Sequence, residues 1–412
     1  MNLPIAGLPA ACDVLVVGAG PAGSAAAQTL ATAGLDVVLI DQHPFPRDKV
    51  CGDGLIPDAH HALRRLGVLD SVMARAHPCG FVGCVGPRGG RIDVPGTLAV
   101  LPRRELDDIV CRAAVSAGAR MFAPLRFMAP LEESGAVVGA RLAHGDAAAE
   151  LRSRWVVLAS GAVPQALLAA GMSTRHTPSG IALRGYVRNE RMRERIDTLE
   201  VVWHRALSPG YGWIFPCPGG VFNIGVGVAD REARPGADEA PRRDVNLRQM
   251  LADFRRVHAP ADKLMTDGTL LAPMKGAPLR CTLEGARFSR PGLLVTGEAA
   301  GSTYSFSGEG IGKALETGIA AAEWVIAGRD RKLDDAQVRA GYEAHLQTLK
   351  PRFDLYQRAN AVNRHPWLAD LLIWRARRSP RIVRRMSGVL EETSNPGNLL
   401  SLKGFARLFL DR

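Results

Sequence analysis

Between Asp13 and Asp36 the chain carries no charged residue, and its apolar positions fall into blocks of recognisable period. Asp13–Val17 reads as a strand, an acid followed by four apolar residues, a glycine-rich turn follows, and small apolar residues from about Ala22 to Ala33 predict a helix. A second strand is expected over Asp36–Asp41. The Gly/Ala texture of this stretch separates it from a membrane span of similar hydropathy. Far along the chain the same order returns. An apolar strand is expected over Gly292–Thr296, then Gly297-Glu298, a loop of small residues, and Gly308-Glu309-Gly310 opening a long amphipathic helix.

Between these two blocks the period changes to two. Residues 210–228, GYGWIFPCPGGVFNIGVGV, alternate around a Pro-Gly-Gly turn and predict a hairpin, and SGIALRGYVRN (179–189) and TLEVVWH (198–204) add strands to an antiparallel sheet. The apolar pattern past Ala327 is helical until Pro351, where a proline predicts a helix end. From there to Phe409 the tail is basic and apolar.

Charge changes this picture only in the tail. A formal net charge of +11 favours an anionic contact, yet no compact Lys/Arg block of the kind that grips nucleic acid is present. The excess lies in WLADLLIWRARRSPRIVRRM (367–386), where arginines are interleaved with Trp and Leu, a mixture suited to a membrane interface. A helical lid with solvated arginines is the plainer reading of the same residues. The seven cysteines form no C-x-x-C pair and their odd number argues against a disulfide framework, so no metal site is expected and a reducing, cytoplasmic compartment is. The N-terminus lacks the basic start of a signal peptide.

The first block carries the chemistry. Gly18, Gly20 and Gly23 satisfy G-x-G-x-x-G between a strand and a helix: the first makes the turn, the second admits a pyrophosphate, the third packs helix on strand. The helix N-terminus, entered through Pro21 and Ala22, favours the phosphates. Asp41, 41 − 18 = 23 positions after Gly18, is placed to accept from a ribose diol and to repel a 2′-phosphate. This lobe is expected to bind FAD or NAD. The second glycine block makes the lobe discontinuous, and a flavin, whose ribityl chain and ring extend away from the first turn, uses a second anchor better than a dissociable NAD. Glu298 suits the ribityl hydroxyls, and the positive end of the helix near Gly310 suits an anionic reduced ring.

Gly18 to Asp41, RDKVCGDGL (47–55), RRELD (103–107), GYGWIFP (210–216) and GEAAG…SGEGI (297–311) occur in the order seen in the geranylgeranyl reductase family of FAD-dependent enzymes, which includes the menaquinone side-chain reductases; the resemblance runs from about residue 12 to 330. It implies an α/β fold like that of p-hydroxybenzoate hydroxylase: a Rossmann-type FAD-binding lobe (1–75, 101–175 and 281–330), an antiparallel substrate lobe (76–100 and 176–280) and a C-terminal helical, basic region (331–412). It implies FAD contacts at Gly18, Gly20, Pro21, Ala22, Gly23, Asp41, Gln42, Lys49, Cys51, Gly52, Gly54, Arg103, Phe127, Gly297, Glu298, Gly308, Gly310 and Ile311. The thiol of Cys51 is expected beside the isoalloxazine, with Gly52 and Gly54 giving the backbone access to it. Two positions depart from the pattern: Glu298 replaces the usual Asp, and Ser160 stands where hydroxylases of this fold carry an acid used for NAD(P)H.

The activity so implied is saturation of C=C bonds in a polyprenyl or isoprenoid lipid, with Cys51 shaping the contact or relaying a proton. Tyr211, Trp213 and Phe215 either line an apolar channel for that lipid or form ordinary core, and Cys51 either acts or packs as a small hydrophobe. The electron donor is NADPH, a ferredoxin or a separate reductase, and the protein is expected in the cytoplasm, either free or at the inner face of the cell membrane. The rivals are a flavin monooxygenase acting on an aromatic or quinone, a halogenase, whose Trp-x-Trp-x-Ile-Pro motif is only partly echoed at Tyr211-x-Trp213-x-Phe215-Pro216, and a non-catalytic flavoprotein or lipid carrier.

Overall fold

The computed structural model describes residues 2–229, 245–391 and 393. Two sheets organise the chain. In the first, the strands Ala147–Leu158, Ala11–Val17, Val37–Ile40 and Arg120–Phe122 lie side by side in parallel, and Leu293–Val295 joins the far edge of Ala147–Leu158. Parallel strands covered on both faces read as unbroken apolar runs, and Val14 to Val17 and Val37 to Ile40 are all buried. The helix Pro21–Thr32 crosses one face and packs against Ile311–Asp330. That second helix was expected to be amphipathic. It is instead buried on most faces, because it sits between Pro21–Thr32, Pro57–Arg65 and the helix that follows it.

The second sheet runs in the order Thr269–Leu270, Gly180–Arg188, Val221–Val228, Gly210–Cys217, Leu199–Val202, His77–Val85, Arg91–Val100, Gly54–Leu55, with Lys275–Leu279 also paired to Gly180–Arg188. The hairpin 210–228 closes around a turn at Gly219 and Gly220, both at positive φ. One pairing departs from an all-antiparallel sheet: Leu199–Val202 runs parallel to His77–Val85, where two separate excursions of the chain meet. The expected edge of the first cofactor segment also shifts, since Gly54–Leu55 pairs with Arg91–Val100 in this second sheet.

The C-terminal part is helical: Asp335–Ala359, Ala361–Arg364, Trp367–Ala376 and Pro380–Leu390. The first of these runs through Pro351, where an end was expected. An interior proline costs about 3 kcal/mol, but ending the helix there would release Phe353 and Tyr356, whose rings lie 4.6 and 4.1 Å from that of buried Tyr304. Packing outweighs the local penalty. Residue 392 and the tail from 394 on, including Phe409, lie outside the described residues.

Candidate functional site

A cavity of about 960 Å³ opens at the C-terminal ends of the first sheet's strands and extends over one face of the second. Its first half is built by the glycine turn. Gly18 adopts φ +100°, and a Cβ there would lie 2.4 Å from the Ala159 carbonyl oxygen. A Cβ on Gly23 would meet the Gly18 carbonyl oxygen at 1.7 Å, so the helix touches the turn backbone to backbone. Gly20 faces the guanidinium groups of Arg47 and Arg103 instead, at the helix N-terminus. The Asp41 carboxylate accepts from the Ala19 and His43 amides at 3.0 and 2.9 Å, which fixes the turn, and Arg47 approaches it at 3.5 Å.

Arg103 is almost wholly buried, and its guanidinium donates twice to Asp107, at 2.6 and 2.9 Å. Burial alone would favour its neutral form, but Asp107 and the neighbouring Cys51 thiol hold the charged form well above the usual range. The cation is permanent, and it meets the thiol. Cys51 belongs to an irregular segment, 48–53, that crosses the cavity and is tied to the second sheet at several points. Arg184 donates to the Asp48 carboxylate and the Lys49 carbonyl at 2.5 and 2.9 Å, and Lys275 to Asp48 at 3.0 Å.

At the centre of those ties is a residue that the motif reading passed over. Asp53, flanked by Gly52 and Gly54, is fully buried and adopts φ +67°. Its carboxylate accepts from the Tyr186 hydroxyl at 2.6 Å, from the Asn223 amide at 2.7 Å and from the Arg103 backbone at 3.2 Å. Burial pushes its pKa up to about 6, against the pull of these donors and of Arg184. Asn223 also donates to the Cys51 carbonyl at 2.7 Å and accepts from the Trp213 indole at 3.0 Å. One amide therefore holds the thiol segment, the buried acid and the aromatic strand together. The signals were a charge between two glycines and a lone amide in the alternating strand VFNIGVGV.

Tyr211, Trp213 and Phe215 all line the cavity, and the Tyr211 hydroxyl donates to the Ser307 carbonyl. Gly52 and Gly54 make room for this floor: a Cβ on either would come within 3.5 Å of Phe215, and the one on Gly54 within 3.2 Å of Leu199. Trp203, also missed, stacks on Phe306 with centroids 6.0 Å apart and donates to buried Asn363 at 2.7 Å, joining the cavity wall to the C-terminal helices.

Gln42, Lys49, Phe127, Glu298, Gly308, Gly310 and Ile311 line the same cavity, as do Pro21 and Ala22. Gly23 and Gly297 do not. Gly297, at φ +66°, packs its backbone against Ala22 and donates to Thr317, so its part is to seat one helix against another. The residues fit a long polar and aromatic cofactor. The buried hydroxyls of Ser160, Ser305 and Ser307 face the cavity without a protein partner, and the glycine turn leaves its floor free of side chains.

The family described as FAD binding domain matches residues 11–245. The chain is 36% identical over 333 residues to the menaquinone reductase of Mycolicibacterium smegmatis, a match that spans 77% of this chain and 76% of the relative. The chain belongs to the geranylgeranyl reductase family of FAD-dependent oxidoreductases. A digeranylgeranylglycerophospholipid reductase of Methanopyrus kandleri is 29% identical over 320 residues, 76% of this chain and 80% of the relative. Among solved structures, a geranylgeranyl bacteriochlorophyll reductase-like protein of Thermoplasma acidophilum aligns with TM-score 0.72 at 22% identity, over 97% of this chain and 96% of the other. A flavin-dependent brominase aligns with the same TM-score at 18% identity, over 97% and 98% of the two chains. The reductase-like protein and the brominase share this chain's fold, and FAD is this family member's cofactor.

Proposed function

We propose that this protein saturates carbon–carbon double bonds of a polyprenyl chain, of the geranylgeranyl or menaquinone side-chain type. The observation that carries the reading is the continuity of one cavity from the glycine turn, past the Cys51 thiol, onto an apolar floor of Trp213, Phe215, Leu199 and Val201. The named activities of the relatives at 36% and 29% identity support it.

In this reading Gly18, Gly20, Pro21, Ala22, Asp41, Gln42 and Phe127 hold the adenosine and phosphate end of FAD, with Arg103 and Glu298 further in and Gly308, Gly310 and Ile311 at the helix start. When bound and reduced, FAD supplies a hydride to one alkene carbon. An isolated alkene is unactivated, so the protein must hold the bond in place and exclude water. The apolar floor does both. The second carbon takes a proton, delivered by the Cys51 thiol, which Arg103 and the Asn223 tie to its carbonyl hold at the cavity wall. Lys49, 4.0 Å from Glu298, ties the thiol segment to that carboxylate.

The same helices that roof the cavity turn Trp374, Arg377, Arg378, Arg381 and Arg384 to the outside, with Trp367 60% exposed. This supports docking on an anionic bilayer surface, from which a lipid enters without crossing water. No helix among the described residues is long and apolar enough to cross a membrane.

The test is anaerobic. The flavin is reduced with dithionite and mixed with menaquinone or geranylgeranyl lipids in detergent, and flavin absorbance is followed together with product mass. Reoxidation with a product heavier by two hydrogens is expected. A flavin that stays reduced until oxygen, or oxygen and halide, is admitted and that then yields an oxygenated or halogenated product would replace the reading with a monooxygenase or a halogenase.

A further inference from the structure

The apolar floor has a direction. Across the second sheet, Trp213 pairs with Val201, and Val201 with Cys84; one row along, Leu199 pairs with Val82, and Val82 with Val94. All six side chains line the cavity. Four adjacent strands at ~4.8 Å spacing carry the floor about 14 Å sideways from the strand that holds Trp213. Val94 also lies 100 − 94 = 6 residues along its strand from Val100, the partner of Gly54, which is about 20 Å at ~3.4 Å per residue. The chamber therefore continues well beyond the Cys51 segment. It stays uncharged as it does so: burial pushes the Cys84 thiol up to about 12, and the remaining side chains of the two rows are hydrocarbon or indole.

What closes it is the last described helix, Pro380–Leu390. Ile382, Met386, Val389 and Leu390 recur at helical spacing and line the cavity opposite the floor, while Arg381 and Arg384 point away to solvent. Its C-terminal end is fastened to the Arg91–Val100 strand. The Leu390 side chain occupies the space over Gly96, where a Cβ would lie 2.5 Å from it, and the Glu391 carboxylate accepts from the Thr97 amide at 2.6 Å. The helix thus lies as a fixed bar across the far end of the floor. It also lies outside residues 11–245, the part matched by the FAD-binding family.

We infer that the inner stripe of this helix is the length gauge of the substrate site: Ile382 and Met386, facing Val94 and Cys84, decide how long an isoprenoid chain can lie on the floor. The inference rests on the polyprenyl reading above and adds the residues that select among polyprenyl chains. An apolar pocket discriminates chain length by exclusion, since each methylene that fits adds only a little affinity whereas one that does not fit forces the wall apart. Met386, unbranched and adaptable, is the side chain whose size can be altered with least disturbance to the helix.

The experiment separates binding from chemistry by using fully saturated isoprenoid alcohols of increasing length, which the enzyme can hold but not reduce. Affinity is measured by displacement of a fluorescent fatty-chain probe from the FAD-loaded protein, with flavin absorbance per chain reporting integrity. Met386→Trp, and Val94→Phe from the opposite wall, are expected to weaken binding of the longest accepted chain by about tenfold or more and to move the cutoff to shorter chains. Met386→Ala moves it to longer ones, and Arg384→Gln on the outer face leaves it in place. Variants that keep full flavin and show the wild-type cutoff overturn the gauge. A wild-type protein that binds no saturated chain of any length fails the polyprenyl reading itself.

Discussion

Cys51, Asp53 and Asn223 carry different risks when changed, because they are held differently. Cys51→Ala removes a thiol that makes few structural demands, so flavin content should be unchanged while turnover falls by ~10²-fold or more, the range expected for losing a general acid. Full turnover in that variant would leave the thiol as packing. Asn223→Ala is structural: it leaves the Asp53 carboxylate and the Trp213 indole short of a buried partner, and urea unfolding should show a loss of about 2–4 kcal/mol. Asp53 adds a pH dependence. Burial raises its pKa from 3.8 to about 6, so the folded state binds a proton that the unfolded chain has released. Its contribution is therefore fully present below pH 3.8 and is lost as pH rises through about 6. Unfolding midpoints measured across that window should decline with rising pH through this group, and Asp53→Asn should flatten the decline. The glycines and Cys51 were legible because short motifs spell out their surroundings. Asp53 and Asn223 were not, because their meaning lies in a contact between positions 170 residues apart.

For the elements, what could be read was set by period and what could not by packing. The two strands and one helix around the glycine turn, and the hairpin 210–228, follow directly from apolar runs and alternation, and their bounds differ by only a residue or two. The turn's demand on the helix is steric, and Gly23→Ala should lose most of its bound flavin, measured as absorbance per chain, since a Cβ there overlaps the Gly18 carbonyl. The buried Ile311–Asp330 helix and the helix through Pro351 were misread for one reason. Local pattern cannot show that a third or fourth element will cover a face, or that two aromatic rings beyond a proline will find Tyr304. The proline helix should depend on those rings: Phe353→Ala is expected to cost about 3–5 kcal/mol by thermal or urea unfolding.

At the scale of the whole molecule the C-terminal helices have two faces, an inner apolar one closing the cavity and an outer one of tryptophan and arginine. Replacing Arg377, Arg378, Arg381 and Arg384 by Gln should reduce flotation with anionic liposomes, by about 1 kcal/mol of membrane affinity per arginine near the surface, and added salt should reproduce the effect in the unaltered protein. Unchanged flotation would make this face an ordinary solvated one. The first sheet takes strands from both Ala11–Val17 and Leu293–Val295, and that discontinuity carries a consequence for biogenesis. Gly18 leaves the ribosome early, but Gly310 follows only 310 − 18 = 292 residues later, so the nascent chain passes through most of its synthesis with half a cofactor cradle. On the proposed FAD site, capture waits for Gly310, so ribosome-bound chains stalled before that residue should carry no flavin, and chains released beyond it should.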